Sequence, residues 1–267
     1  MRLLTPLVPD PAAPLARANP VAKLAAALVV LVALFASLDG VTAGVVLLGL
    51  LALLPASGLS ARVLLGRSWL VGATAISIGL FNVLFAAVQL GPTVVEIGPL
   101  RIGGETVVNG AGLAVRLLAI ALAGLLATAT SDPIELADAL IQQLRVSPRF
   151  AIGVLAALRL LPMLAQEWQT LGMARRARGV EAGRSPVAAV RLFAGKLLSL
   201  LVGVIRRGSR MALAMEARGF GALPCRSVAR LQHMRASDWA WIAGGVALAA
   251  VAIGASLALG TWRPLVG

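Results

Sequence analysis

The sequence predicts an all-α membrane protein with about five transmembrane helices and a cytoplasmic-side domain of one short and two long helices. Of its 267 residues, 59% are hydrophobic and only 13% are charged, whereas a soluble domain is about 45–50% apolar and about 25% charged. Several apolar runs approach the length that a helix needs to cross a bilayer. The charges are mostly arginine, which gives a formal net charge of +13.

Five apolar runs define the predicted transmembrane helices, because a helix rises about 1.5 Å per residue and needs about 20 residues to span a bilayer. They are residues 21–38, 41–56, 69–90, 110–130 and 239–259. The second run is short, so we expect it to be tilted or extended into its flanks. Arg116 lies near the outer start of the fourth run, where its side chain is expected to snorkel to the interface. Tryptophans at or near the ends of these runs are typical of a membrane interface: Trp69, Trp239, Trp241 and Trp262.

The distribution of arginine and lysine predicts the orientation. Residues 131–238 contain 16 basic and 7 acidic residues, and the short loop 57–68 contains Arg62 and Arg67 without an acid. Basic residues favour the cytoplasmic side. We therefore expect the N-terminus, the loop 57–68 and residues 131–238 in the cytoplasm, with the C-terminus on the opposite side.

This pattern predicts three parts of the chain. Residues 1–130 form an N-terminal tail and four transmembrane helices, residues 131–238 form a basic helical domain, and residues 239–267 form the last transmembrane helix and a short tail. Within the basic domain, Ser131 or Asp132 stands before Pro133, and Ser147 and Ser185 each directly precede a proline. These are typical helix starts, with a capping residue before a first-turn proline. They predict one short and two long helices, the first long helix being kinked at Pro162.

Residues 150–165 and 187–205 are also apolar enough to cross a bilayer. If both crossed, the loop 166–186 with its four arginines would lie outside, against the charge rule. Three basic residues would also lie within the membrane, where a central charge costs at least about 2.5–3.5 kcal/mol. We therefore expect both helices to pack at the inner face. The three basic residues are Arg159, Arg191 and Lys196.

An Ala-Arg-Gly tripeptide occurs twice, at 177–179 and again at 217–219, each time at the end of a predicted long helix. Helix capping explains part of the pattern, because glycine favours the position after a helix and arginine complements the negative end of its dipole. A second explanation adds to the first. A terminal arginine that projects beyond the fold can bind carboxylates or carbonyl groups in a partner's groove.

Three stretches resemble the transmembrane T component of energy-coupling factor (ECF) ABC transporters, a group that includes cobalt and biotin permeases. They are "NPVAKLAAAL", "SDPIELADALIQQLRVSPRFAIGVLAALRLLPMLAQEWQTLGMARRARG" and "VIRRGSRMALAMEARGFGA". The resemblance implies a subunit of the cell inner membrane that joins two ABC ATPase subunits, a homodimer or heterodimer, to a separate substrate-binding S subunit. It implies uptake of a micronutrient, whether vitamin, precursor or transition-metal ion. The partner ATPases use the ATP, and this chain binds no cofactor.

The resemblance also implies site residues, and it makes residues 131–238 a coupling-helix domain. Arg178 and Arg218 would contact the ATPases, with five neighbours completing the motifs. The first motif is followed by "VEAGRS" rather than a Gly-Phe pair, so its end geometry is less certain than that of the second. Small residues on the two long helices are candidates for a surface facing the S subunit, and packing within the chain explains them equally well. The motif neighbours are Ala177, Gly179, Glu216, Ala217 and Gly219, and the small residues are Gly153, Ala156, Ala157, Ala194 and Gly195.

No catalytic or metal-binding constellation is predicted. The chain has one cysteine, Cys225, and one histidine, His233. Glu167 is expected to pair with a nearby arginine. "AGKLLS" lacks the glycine pattern and the Ser/Thr of a P-loop, so we expect no ATP hydrolysis by this chain. The alternatives left open are a membrane-anchored basic protein that binds anionic lipid and an integral-membrane enzyme acting on lipid. Nucleic acid is not an expected partner.

Overall fold

The computed structural model describes residues 12–59, 61–86, 92–97, 100–180, 183, 185–220 and 231–262. The end of the predicted run 69–90 and Cys225 lie outside these residues. The chain divides into two units that are described separately. The bundle unit comprises Thr5–Ala139 and Gln232–Gly267, and the crossed-helix unit comprises Leu140–Leu231. The boundary between them falls inside a short helix. The predicted division into membrane and cytoplasmic parts stays a prediction.

The described residues are mostly helical, which confirms the predicted all-α membrane class. The elements in chain order are α1 (Pro14–Arg17), α2 (Pro20–Ala36), α3 (Gly40–Ala52), α4 (Leu54–Ser57), α5 (Ala61–Phe85), β1 (Thr93–Ile97), β2 (Leu100–Gly103), α6 (Gly104–Ala129), α7 (Pro133–Gln143), α8 (Pro148–Ala177), α9 (Pro186–Ala217) and α10 (Ala236–Ala258). The expected Ser-Pro starts of the long helices are present at Ser147 and Ser185. Helix α8 continues through Pro162.

Within the described part of the chain, four helices are long and apolar enough to cross a membrane, namely α6, α8, α9 and α10, and shorter apolar helices lie at Pro20–Ala36, Gly40–Ala52 and Trp69–Phe85. Helices α6 and α10 cover the fourth and fifth predicted runs. Helices α8 and α9 satisfy the same length and composition criteria, although the charge rule assigns them to the inner face. The assignment of α8 and α9 to the inner face rests on Arg159 and Arg191, because each would bring an unfavourable charge into the bilayer.

A β-hairpin precedes α6 and was not predicted from the sequence. Strands β1 and β2 pair antiparallel, with Glu96 opposite Arg101 and Ile97 opposite Leu100. β-branched residues favour extended backbone, and four of the five residues of β1 are β-branched: Thr93, Val94, Val95 and Ile97. Helix α6 accordingly begins at Gly104, six residues before the predicted run.

The core of the bundle unit lies among α2, α3, α6 and α10. Leu34, Val46, Ala119 and Ala252 have no exposed surface there. Helix α5 packs against α6 through small residues. A Cβ atom placed on Gly79 would lie 2.7 Å from the carbonyl oxygen of Gly110. Such close contacts between helix backbones are typical of helix packing in membranes.

A polar cluster closes the loop between α2 and α3. Asp39 caps α3 by accepting a 2.7 Å hydrogen bond from the Thr42 amide, and the Ser37 hydroxyl donates to the same carboxylate. Arg116 donates to the carbonyl oxygens of Ser37 and Asp39. The loop supplies Arg116 with carbonyl acceptors that the sequence of α6 alone does not reveal, and the expected snorkelling of its side chain to the interface stays a prediction.

The same cluster sets the ionisation of Asp39, which is 5% exposed. Burial alone would raise the pKa of its carboxyl group. Hydrogen bonds from Ser37, Thr42 and Ser256 outweigh the burial, and the pKa is held below its ordinary value. Hydrogen bonds to a carboxylate favour the charged form. Asp39 therefore stays ionised as the cap of α3.

A second polar cluster lies at the start of α2, within the stretch "NPVAK". The ammonium group of Lys23 donates to the Thr130 carbonyl oxygen at 2.7 Å. The backbone amide of Asn19 donates to one carboxylate oxygen of Asp238 at 2.8 Å, and the backbone amide of Arg235 donates to the other at 2.8 Å. These bonds tie the start of α2 to the end of α6 and to the start of α10.

Candidate functional site

The first Ala-Arg-Gly motif ends α8 with a defined hydrogen-bonded turn. Arg178 is the last residue with near-helical backbone, and Gly179 has φ +70. The Gly179 amide donates to the Arg176 carbonyl at 2.9 Å, and the Val180 amide donates to the Arg175 carbonyl at 3.0 Å. This pair of bonds is the Schellman motif, which satisfies carbonyls at the end of a helix.

The second motif ends α9 in the same way. Gly219 has φ +75. Its amide donates to the Glu216 carbonyl at 2.9 Å, and the Phe220 amide donates to the Met215 carbonyl at 3.0 Å. The different residues that follow the two motifs therefore do not change the backbone geometry of the helix ends. Both motifs present an arginine at the same position relative to the last helical turn.

The two glycines are required by conformation and not by space. A Cβ atom on Gly179 or Gly219 would meet no other atom within 4 Å, whereas a positive φ is unfavourable for residues that carry a Cβ. Capping therefore accounts for the glycines, as the sequence predicted. Capping does not explain why every residue of both motifs is exposed to solvent. The exposed residues are Ala177, Arg178, Gly179, Glu216, Ala217, Arg218 and Gly219.

Helices α8 and α9 cross antiparallel. The Arg207 guanidinium lies 2.7 Å from the Glu167 carboxylate, whereas Arg175, eight residues further along α8, donates to the carbonyl of Leu192 at 2.8 Å. The contacts thus move backwards along α9 as they move forwards along α8. The pairing confirms the expected arginine partner of Glu167.

The crossing places the two arginine ends at opposite ends of the helix pair. Val180, which follows the first motif, lines a cavity together with Ala189 and Leu192 near the start of α9. Arg218 lies at the other end of α9, a helix of 32 residues. With a rise of about 1.5 Å per residue, Arg178 and Arg218 are separated by roughly 40 Å along α9.

The small residues predicted to face an S subunit lie in different surroundings. Gly153, Ala156 and Ala157 line a cavity of about 580 Å³ between α8 and α9. Gly195 contacts the other helix, because a Cβ atom there would lie 3.1 Å from the Arg175 guanidinium. Ala194 is exposed. Packing within the chain therefore accounts for Gly195, and an S-subunit surface stays a prediction for the others.

Comparison with known proteins identifies the family. Residues 11–227 match the CbiQ family, described as cobalt transport proteins. Similar proteins are named energy-coupling factor transporter transmembrane protein EcfT. The chain is 33% identical to EcfT of Heliobacterium modesticaldum over 160 aligned residues, which are 56% of this chain and 59% of the relative. It is 29% identical to EcfT of Bacillus subtilis over 169 aligned residues, which are 60% of this chain and 64% of the relative.

The match to Thermosediminibacter oceani EcfT extends over 180 residues at 28% identity, covering 64% of this chain and 67% of the relative. The aligned part of the chain thus spans about three fifths to two thirds of the length of these relatives. The family match covers both motif-ended helices. The apolar helices and these matches together show a multi-pass membrane protein. This chain belongs to the CbiQ family of cobalt transport proteins.

Proposed function

We propose that the chain is the transmembrane coupling subunit, or T subunit, of an ECF-type ABC importer. In this role it transmits the movement of two ABC ATPase subunits to a separate S subunit during micronutrient uptake. The observation that carries the proposal is the pair of exposed arginine ends with the same backbone geometry. The names of the EcfT relatives support it, because each is an energy-coupling factor transporter transmembrane protein.

Each arginine end has the chemistry of a contact that transmits force. The Schellman turn fixes the last helical residue, so the guanidinium extends from a defined backbone position. A guanidinium forms paired, charge-assisted hydrogen bonds with carboxylates and also donates to carbonyl oxygens. Arg178 and Arg218 each dock into a groove of one ATPase subunit. Closure of the ATPases on ATP then moves the ends of α8 and α9.

The helices carry this displacement to the S subunit. Helices α8 and α9 contain 30 and 32 residues. Helix α9 has no proline after its first turn, and a continuous helix of this length transmits a displacement with little bending. The crossed-helix unit and the N-terminus lie on the cytoplasmic side of the inner membrane, as the positive-inside rule indicates. The chain itself binds no cofactor, and the partner ATPases bind and hydrolyse ATP. The imported micronutrient is chosen by the S subunit.

Co-expression of the chain with its ATPase and S subunits tests the proposal. Arg178→Ala and Arg218→Ala should each reduce co-purification of the ATPases and ATP-driven uptake by about 10-fold or more, because a hydrogen bond to a charged group contributes about 1.5–3 kcal/mol. The double variant should lose most of both. Arg210→Ala is the matched control, since Arg210 is an exposed arginine of α9 away from both ends.

Two outcomes would contradict this function. One is full ATP-driven uptake by the double variant. The other is a loss graded with the number of arginines removed, with Arg210→Ala as harmful as Arg218→Ala. A graded loss would instead favour the alternative of a basic membrane protein whose binding to anionic surfaces depends on total charge.

A further inference from the structure

A cavity of about 410 Å³ lies between the last third of α8 and the start of α9, beside the turn that follows the first arginine end, and Val180 and Gly183 also line it. Arg175, Arg176 and Lys196 supply its positive charge, and Trp168 and Phe193 supply its aromatic surface. Among the described residues that line it there is no carboxylate. Glu167, which precedes Trp168 in the chain, pairs with Arg207.

Two of these cations, Arg175 and Lys196, line the cavity at the helix crossing and are partly buried. Arg175 packs against Gly195, and the Lys196 ammonium packs against Gly172. Arg175 donates to the Leu192 carbonyl at 2.8 Å, and the ammonium lies 5.1 Å from the centre of the Trp168 ring. These contacts hold the cations in place without neutralising them. Adjacent like charges repel, and a bound anion would relieve the repulsion.

An apolar stripe continues from this cavity along α9. Val190, Phe193, Leu197 and Leu201 recur every three or four residues and are 52–68% exposed, so they share one face of the helix. Phe193 belongs both to the stripe and to the cavity. The surface therefore combines a cationic recess with an adjoining hydrophobic strip. A free anion or an acidic peptide would use only the first of these two features.

We propose that the cavity binds the phosphate headgroup of an anionic phospholipid, with the acyl chains lying along the apolar stripe of α9. Arg176 and Lys196 contact the phosphate oxygens, and Trp168 and Phe193 cover the glycerol backbone. A zwitterionic lipid offers the same acyl chains but carries a compensating positive charge. The site adjoins the first arginine end through Val180, but neither Arg178 nor Arg218 lines it, and it does not depend on an ATPase partner.

The site can be tested on the purified full chain in detergent. The chain is titrated with dioctanoyl phosphatidylglycerol, dioctanoyl phosphatidylcholine or inorganic phosphate. The signal is the part of the tryptophan fluorescence that the variant Trp168→Phe lacks. Phosphatidylglycerol should give a saturable change. Lys196→Gln and Arg176→Gln should each raise its apparent dissociation constant about fivefold, the effect expected of one basic residue at an anionic lipid surface.

Two variants serve as controls. Lys196→Arg keeps the charge and should retain the affinity, and Arg210→Gln removes an equal charge from α9 outside the cavity and should leave it unchanged. Equal responses to phosphatidylcholine, or an equal affinity for inorganic phosphate, would overturn the proposal. A Lys196→Gln variant with normal lipid affinity and impaired ATPase co-purification would also overturn it and assign the cations to a protein partner. Because the titration contains no ATPase, its failure would leave the proposed coupling function untouched.

Discussion

The carboxylate of Glu167 on α8 and the guanidinium of Arg207 on α9 lie 2.7 Å apart, and each side chain is about one-third exposed. The pair joins two helices whose contacts at the crossing also include a T-shaped Trp168–Phe193 ring pair and the bond from Arg175 to the Leu192 carbonyl. It therefore helps to set the angle at which α8 and α9 cross.

Removing one partner of this ion pair should weaken the crossing. Glu167→Gln and Arg207→Gln should each lower the thermal stability of the purified chain. A double-mutant cycle should give a coupling energy of about 0.5–1 kcal/mol, because solvent screens a pair that is partly exposed. The exchanged pair Glu167→Arg with Arg207→Glu should recover most of the loss. A coupling energy of zero would show that the two groups meet without stabilising the crossing.

Alanine at either motif glycine should disturb the helix end. Gly179→Ala and Gly219→Ala place a Cβ on a residue with positive φ and should cost about 1–2 kcal/mol, so the last turn should exchange its amide hydrogens faster. Asparagine tolerates this conformation better, and Gly179→Asn should be milder. Gly153→Ala is the control, since Gly153 is helical and its added Cβ meets no atom within 4 Å. Equal exchange in all these variants would contradict the capping role.

The bundle unit should lose stability in acid through Asp39. Its folded-state pKa lies below the ordinary value of 3.8. The ionised carboxylate therefore stabilises the fold above that value, and the contribution is lost as the pH falls through the lower folded-state pKa. Asp39→Asn should be less stable at neutral pH and should show a weaker decline in melting temperature below about pH 4. Glu105→Gln, at an exposed position of α6, is the control. A parallel decline in Asp39→Asn and the unchanged chain would contradict the assignment.

The contact between α5 and α6 should not accept a larger residue at Gly79. A Cβ there would lie 2.7 Å from the Gly110 carbonyl oxygen and 2.9 Å from the Ala114 Cβ. Backbone must move to make room, so Gly79→Ala should cost about 1–3 kcal/mol, measured by unfolding of the purified chain. Gly72→Ala, on the same helix with nothing within 4 Å of its added Cβ, should be neutral or slightly stabilising. Similar stabilities of the two variants would show that α5 does not pack as described.

The helix ends were predictable because capping is local. A glycine after an apolar helix and a serine before a proline report backbone conformation within a few residues, and both motifs and the Ser147 and Ser185 starts agree with the structure. Arg116 was not predictable in the same way, since its acceptors at Ser37 and Asp39 are about 80 positions away in the chain. The hairpin was missed because its strands are short and lie in a linker between two predicted transmembrane helices.

Sequence reasoning also could not separate the faces of α8 and α9. Small residues recur along both helices, and their spacing does not tell whether a face meets the other helix, a partner or lipid. The structure assigns Gly195 to the crossing through its contact with Arg175. It places Gly153 beside an open cavity. The difference arises from the crossing angle, which depends on long side chains such as Glu167 and Arg207 on two separate helices.

The crossing is off-centre, and this makes the two arginine ends mechanically unequal. One contact of the crossing, between Gly172 and the Lys196 ammonium group, lies only a short way before Arg178 along α8 but much further before Arg218 along α9. With a rise of about 1.5 Å per residue, the lever arms are roughly 9 Å and roughly 33 Å. A rotation of the helices by about 10° about this contact would move Arg178 by roughly 2 Å and Arg218 by roughly 6 Å. Equal displacements applied at Arg178 and Arg218 would therefore rotate α8 and α9 by different angles about this contact. A symmetric input would produce an asymmetric motion of the two helices.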